Sequence, residues 1–202
     1  FLLRVNSYGI EFFGYDWIIK SSASPVGPGP NYFSADSIIL DRNQQNITLS
    51  VKQIGQEWHS SELYSAELFS YGEFSLTFSI PSKLDSQLVF GFFLYNEHFP
   101  PYFNEIDFEI AEWGNPVYNN CQFSIQPYQT QGNTYTFNTE EILREYKIIV
   151  NWQKNSIRFN LLHAFHAIAL DFGSVSFTID FLRSLQLLNS FRIVYARNTF
   201  SL

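Results

Sequence analysis

Basic residues are scarce in this chain and never adjacent: 12 Lys and Arg stand against 19 Asp and Glu in 202 residues, a net charge of −7. A surface without basic clusters has little to hold a phosphate backbone or an anionic bilayer, so neither nucleic acid nor a membrane is an expected partner. Cysteine is nearly absent. Cys121 stands alone, which excludes an intrachain disulfide framework. No apolar run reaches the ~18 residues that a membrane-spanning helix needs. There is no glycine-rich phosphate loop and no Gly-x-Ser-x-Gly elbow, the local signatures of phosphate cradling and of α/β-hydrolase nucleophiles. Histidines are few; His163 and His166 have a spacing that metal sites use, but only Asp171 stands near them, so they read as scattered residues rather than ligands. Methionine is missing altogether. Lacking an initiator, the chain is expected to have lost a leader, which suits a secreted or extracytoplasmic location.

What the chain has in abundance is aromatic side chains: 22 Phe, 12 Tyr and 4 Trp, or 19% of the residues. They favour strands and offer flat faces to ligands. With 46% hydrophobic residues the chain can build a sizeable core, and one domain over residues 1–202 is the simplest division. Short strand candidates follow one another. "NITLSVKQI" and "GEFSLTFSI" alternate apolar and polar residues, and "LVFGFFLY" is apolar throughout, as in a strand buried on both faces. "EIDFEI", "CQFSIQPY", "YKIIVNW", "SIRFNLL", "SVSFTIDF" and "FRIVYA" continue the series, so the expectation is an all-β sandwich or barrel. Pro and Gly crowd residues 23–34, an ordered surface loop. Helix signals are weak: "TEEILREY" (139–146), with Thr139 as N-cap, suits a turn or two, and "LLHAFHAIAL" (161–170) is ambiguous. Asn46-Ile47-Thr48 matches the glycosylation sequon, a pattern common by chance.

The stretch "NEIDFEIAEWGN" (104–115) breaks the pattern of low charge. In a strand, residues two apart point the same way, so Glu105, Asp107 and Glu109 share one face while Ile106, Phe108 and Ile110 pack behind them. Three acids on one face repel each other, and neither Asp nor Glu favours strands. A solvated edge strand would explain them. The aromatic segment "NEHFPPYF" just before, and the apolar strand before that, point instead to the floor of a cleft. Paired carboxylates in a cleft suit glycoside hydrolysis: one attacks the anomeric carbon, the other protonates the leaving oxygen, and mutual repulsion separates their pKa values. Two Glu four residues apart on a straight strand have Cα atoms ~13 Å apart. Retaining glycosidases need carboxyl groups ~5–5.5 Å apart, so the strand must curve toward the substrate, as in a jelly-roll sheet.

"EIDFE" resembles the Glu-x-Asp-x-Glu signature of glycoside hydrolase family 16, the lichenase and laminarinase group. The flanks resemble it too: "SSELYSAELFSYGEF" (60–74), "LVFGFFLYN", "NCQFSIQPY", "YKIIVNWQKNSIRF" and the opening "FFGYDWIIKSS…GPGPNYFS", so residues 11–160 are covered. The resemblance implies a concanavalin-like β-jelly-roll sandwich of two curved antiparallel sheets. It implies a monomeric, retaining endo-hydrolase of a β-linked polysaccharide such as a β-1,3- or β-1,3-1,4-glucan. Glu105 would be the nucleophile, Asp107 its hydrogen-bonded tuner and Glu109 the acid/base. Glu62, Phe93, Tyr95 and Gln122 would line the cleft as sugar contacts. Glu62 also fits a plain surface charge and Phe93 a core position; Trp113, just after the acids, fits either a sugar-stacking or a packing role. No cofactor is implied beyond a structural calcium, for which the sequence names no ligands. The chain departs from the family where a late stacking Trp is usual: "FRIVYARN" puts Tyr195 there. Tyr64 stands where a sugar-binding Arg is common, and residues 161–190 match poorly. A non-catalytic carbohydrate-binding module on the same fold is the alternative.

Overall fold

A computed structural model describes residues 8–43, 46–80, 84–96, 105–139, 145–163, 174–178 and 190–197. The described elements are strands throughout, apart from one short 3-10 turn, Ala35–Ser37. In chain order they are β1 (Tyr8–Phe12), β2 (Tyr15–Ile19), β3 (Tyr32–Phe33), β4 (Ile38–Asp41), β5 (Asn46–Leu49), β6 (Lys52–Ile54), β7 (Glu57–Ser65) and β8 (Gly72–Phe78). Then come β9 (Leu88–Tyr95), β10 (Glu105–Ala111), β11 (Cys121–Ile125), β12 (Thr134–Phe137), β13 (Tyr146–Gln153), β14 (Ser156–His163), β15 (Ser174–Thr178) and β16 (Ser190–Arg197). Of the two helix candidates, residues 140–144 and 164–170 lie outside the described residues; Tyr146 opens β13, and Leu161–His163 end β14.

The large sheet runs β1-β2-β7-β16-β9-β10-β11-β12, with β3 and β6 also paired to β7. A smaller sheet, β15-β14-β13-β8, covers one of its faces. All pairings are antiparallel except the two-residue match of β3 with β7. The sequence period explains why these layers meet. In β13, Tyr146, Ile148, Val150 and Trp152 are buried and the residues between them are not. In β10, Ile106, Phe108 and Ile110 are buried on the side facing β13 and β14. Aromatic rings lock the layers: Phe78 stacks on Phe90 with centroids 4.6 Å apart, and Phe159 on Phe123 at 4.7 Å. Such stacked pairs add ~0.5–1.5 kcal/mol beyond the area they bury.

Strand β9 is buried on both faces, as its composition predicts. Phe90, Phe92 and Leu94 enter the core between the sheets, whereas Phe93 joins Phe33 in a second apolar cluster, with Val26 and Tyr95 packed against it. That cluster lies on the outer face of the large sheet, because Phe93 is the Cα partner of Asp107. The Pro/Gly loop closes over it through the bridge Val26–Asn31, with Asn31 Nδ2 donating to the Pro28 carbonyl at 2.7 Å.

Candidate active site

Directly opposed residues of an antiparallel pair share a face. Across β9, Glu105 faces Tyr95, Asp107 faces Phe93, and Glu109 faces Gly91. Across β11, Asp107 faces Ser124 and Glu109 faces Gln122. The three acids therefore stand on the face that the smaller sheet leaves uncovered, flanked by Tyr95 and Phe93 on one side and by Gln122 and Ser124 on the other. Gly91 leaves no side chain beside Glu109 on β9. Farther along, β16 places Val194 beside Gly91 and Arg192 beside Phe93, and β7 then contributes Glu62 and Tyr64.

The acids do not share one environment. Asp107 is buried, with 7% of its surface exposed, and the Ser124 hydroxyl donates to its Oδ2 at 3.1 Å. Burial, and then the charges of Glu105 and Glu109, push its pKa well above the usual carboxylate range; a hydrogen bond with Glu105 adds to the rise, and only Ser124 opposes it. Glu109 is raised to about 7, first by burial and then by the charge of Glu105. The Gln122 amide donates to Glu109 Oε2 at 3.3 Å, which ties the carboxyl to β11. The row therefore holds carboxyls whose surroundings favour the protonated form, the kind of environment that acid/base chemistry beside a nucleophile requires.

Glu62 stands on the same face and is completely enclosed. Lys20 Nζ reaches its Oε2 at 2.6 Å, donates also to the Gly27 carbonyl, and lies 4.2 Å above the Phe33 ring. Neither a surface charge nor an open sugar contact describes it: the carboxylate is inside and paired. Phe93 is buried at 8% exposure, in the cluster under the Pro/Gly loop. Tyr95 is half-buried, edge-on to Phe93 with centroids 6.4 Å apart. Gln122 is half-buried beside Glu109.

Trp113 is half-buried in the turn after β10, where Trp113 and Gly114 take the left-handed backbone with φ of 47° and 80°. The turn at Gly114-Asn115-Pro116 puts Trp113 beyond Ala111, at the end of β10 opposite to Tyr95. Six strand residues separate those ends, a span of about 20 Å, so one sugar ring cannot touch both aromatics. Tyr195 pairs with Phe90 and Ser61, a register position aligned with core residues; on β16 the acid-face positions belong to Arg192 and Val194. His166 and the loop 97–104 lie outside the described residues. Among those described, no group of three or more His, Cys, Asp or Glu is placed to hold a metal ion, so no ligands emerge for a structural calcium. Sequence reading missed Ser124 and Lys20. Ser124 was findable, two residues from Gln122 in an alternating strand; Lys20 needed the pairing of β2 with β7, which no local pattern encodes.

No protein-family model matches the chain, and no curated protein does. Solved structures do. A Bacillus licheniformis β-glucanase superposes with a TM-score of 0.66 at 16% identity, over 95% of this chain and 85% of that one. A Bacteroides ovatus mixed linkage glucan protein of glycoside hydrolase family 16, in complex with a G4G4G3G product, gives 0.69 at 13% identity, over 94% and 86%. A Mycobacterium tuberculosis immunostimulatory antigen and pseudo β-1,3-glucanase gives 0.62 at 16% identity, over 90% and 80%. The two-sheet sandwich is thus the jelly-roll fold of glycoside hydrolase family 16 β-glucanases.

Proposed function

We propose that the protein is a retaining, endo-acting glycoside hydrolase of a β-linked polysaccharide, of the β-1,3- or β-1,3-1,4-glucan kind, working as a secreted monomer. The observation that carries this reading is the pair of environments on β10. Glu109 is held near pH 7 beside Glu105, within one row and on a face free of the second sheet. In the first step a Glu105 carboxylate oxygen bonds to the anomeric carbon. The bond from that carbon to the leaving oxygen breaks, and the Glu109 proton goes to that oxygen. In the second step Glu109 takes a proton from water, the water oxygen bonds to the anomeric carbon, and Glu105 is released. Asp107, hydrogen-bonded to Glu105 and Ser124, holds the nucleophile in place and governs how much charge it carries. Gln122 and Tyr95 flank the reacting ring, Trp113 serves a position farther along, and Phe93 and Glu62 support the face from beneath the loop.

Activity on a panel of β-glucans, with release of reducing ends, tests the reading. Glu105→Gln is expected to abolish turnover. Glu109→Gln is expected to lose polymer hydrolysis far more than cleavage of aryl glycosides whose leaving groups need little protonation, a difference on the order of 10²-fold or more. Equal loss on both substrate types would overturn the assignment of roles. Sugar binding without reducing-end release would favour a binding module on the same fold.

A further inference from the structure

The acid face is not equally open on its two sides. Toward β12, Gln122 and Thr134 are half-buried and Thr136 is exposed. Toward β7, Phe93, Phe33 and Glu62 are exposed by 8%, 1% and 0%. What covers them is the chain's own loop, and Lys20 is its fastening. One ammonium joins the Glu62 carboxylate on β7, the Gly27 carbonyl in the loop and the Phe33 ring on β3. The loop is shaped to stay down: Gly29 sits at φ +115°, and a Cβ there would meet Asn31 Nδ2 at 2.1 Å. Asn31 is itself buried and holds the Pro28 carbonyl.

A carboxylate beside a sugar-processing row is a natural acceptor for sugar hydroxyls. Here the acceptor is already taken by a cation from the same chain that also lies over Phe33, which packs with Phe93 and Val26 into one apolar cluster. We propose that Lys20 is a specificity-determining residue: by occupying Glu62 and pinning the 26–31 loop, it closes the β7 side of the acid face to sugar rings. The glycan is then held chiefly from the acid row outward over β11 and β12. Longer glycans gain no contact on the closed side. This rests on the reading of the acid row as a glycan site, and it adds where along that site the rings can lie.

Calorimetric binding of β-1,3-1,4-gluco-oligosaccharides of three and six units tests it, in the Glu105→Gln background so that nothing is hydrolysed. With Lys20 present the six-unit chain is expected to bind within about threefold of the three-unit chain. Lys20→Met is expected to widen that ratio to tenfold or more, while Lys20→Arg, which keeps the cation, preserves the narrow ratio. Removing Lys20 leaves an uncompensated buried carboxylate, which can cost the fold itself. Gly29→Ala is therefore the second variant, since it unseats Asn31 and the loop while keeping both Lys20 and Glu62 in the chain, and it is expected to widen the ratio in the same direction. Binding with an unchanged ratio in the folded variants overturns the role of Lys20 and leaves the glycan reading standing. Absence of binding to either oligosaccharide, with no turnover by the unsubstituted protein, overturns both.

Discussion

At the scale of single residues, Glu109 carries the clearest physical signature. An unfolded glutamate titrates near ~4.3, whereas the folded one is held at about 7. The folded state therefore binds the proton more tightly than the unfolded chain. The stability this contributes is fully present below the unfolded value and is lost as pH rises through about 7. Gln resembles the protonated side chain and cannot ionise. Glu109→Gln is expected to match the unsubstituted protein in melting temperature at about pH 3.5, below the unfolded value, and to exceed it at about pH 8. An equal difference at both pH values would mean that the carboxyl is not held protonated by its surroundings. In the proposed mechanism Glu109 must enter the first step protonated, so the rate is expected to fall as pH rises through about 7.

At the scale of elements, β10 solves two problems with one alternation. Its odd positions carry the acids and its even positions anchor the strand. Phe108 has no exposed surface and packs against Phe78 and Phe123, with ring centroids 6.0 and 5.6 Å away. Phe108→Ala is expected to cost about 3–5 kcal/mol, measured by denaturant unfolding. A cost under about 1 kcal/mol would mean that the strand is not clamped between the sheets. This alternation was legible from residues alone, because a half-buried strand writes its two faces into its sequence with period two. The buried run of β9 was legible for a different reason: a strand covered on both faces shows an unbroken apolar run instead of an alternation. What was not legible was the fate of Phe93 and Glu62. Both depend on the Pro/Gly loop folding back from residues far away in the chain, and on Lys20 arriving through the register of β2 with β7.

At the scale of the whole molecule, the two sheets divide the labour. The four-stranded sheet seals one face of the larger sheet and frees the other for polar groups that a core could not tolerate. Burying Asp107 among carboxylates opposes folding, and the apolar contacts behind it offset that cost. Shared fold with β-glucanases and with a pseudo-glucanase leaves the deciding question to the acids themselves. The most direct measurement is to incubate the protein with a β-gluco-oligosaccharide carrying fluorine at C2 and an activated aryl leaving group, which slows release of any covalent intermediate. Intact mass and peptide mapping then find where the sugar is attached. The account predicts one sugar adduct per chain, on Glu105, that Glu105→Gln abolishes. Release of the aryl group with the adduct on another residue, or no adduct while polymer is cleaved with inversion at the anomeric carbon, would contradict it.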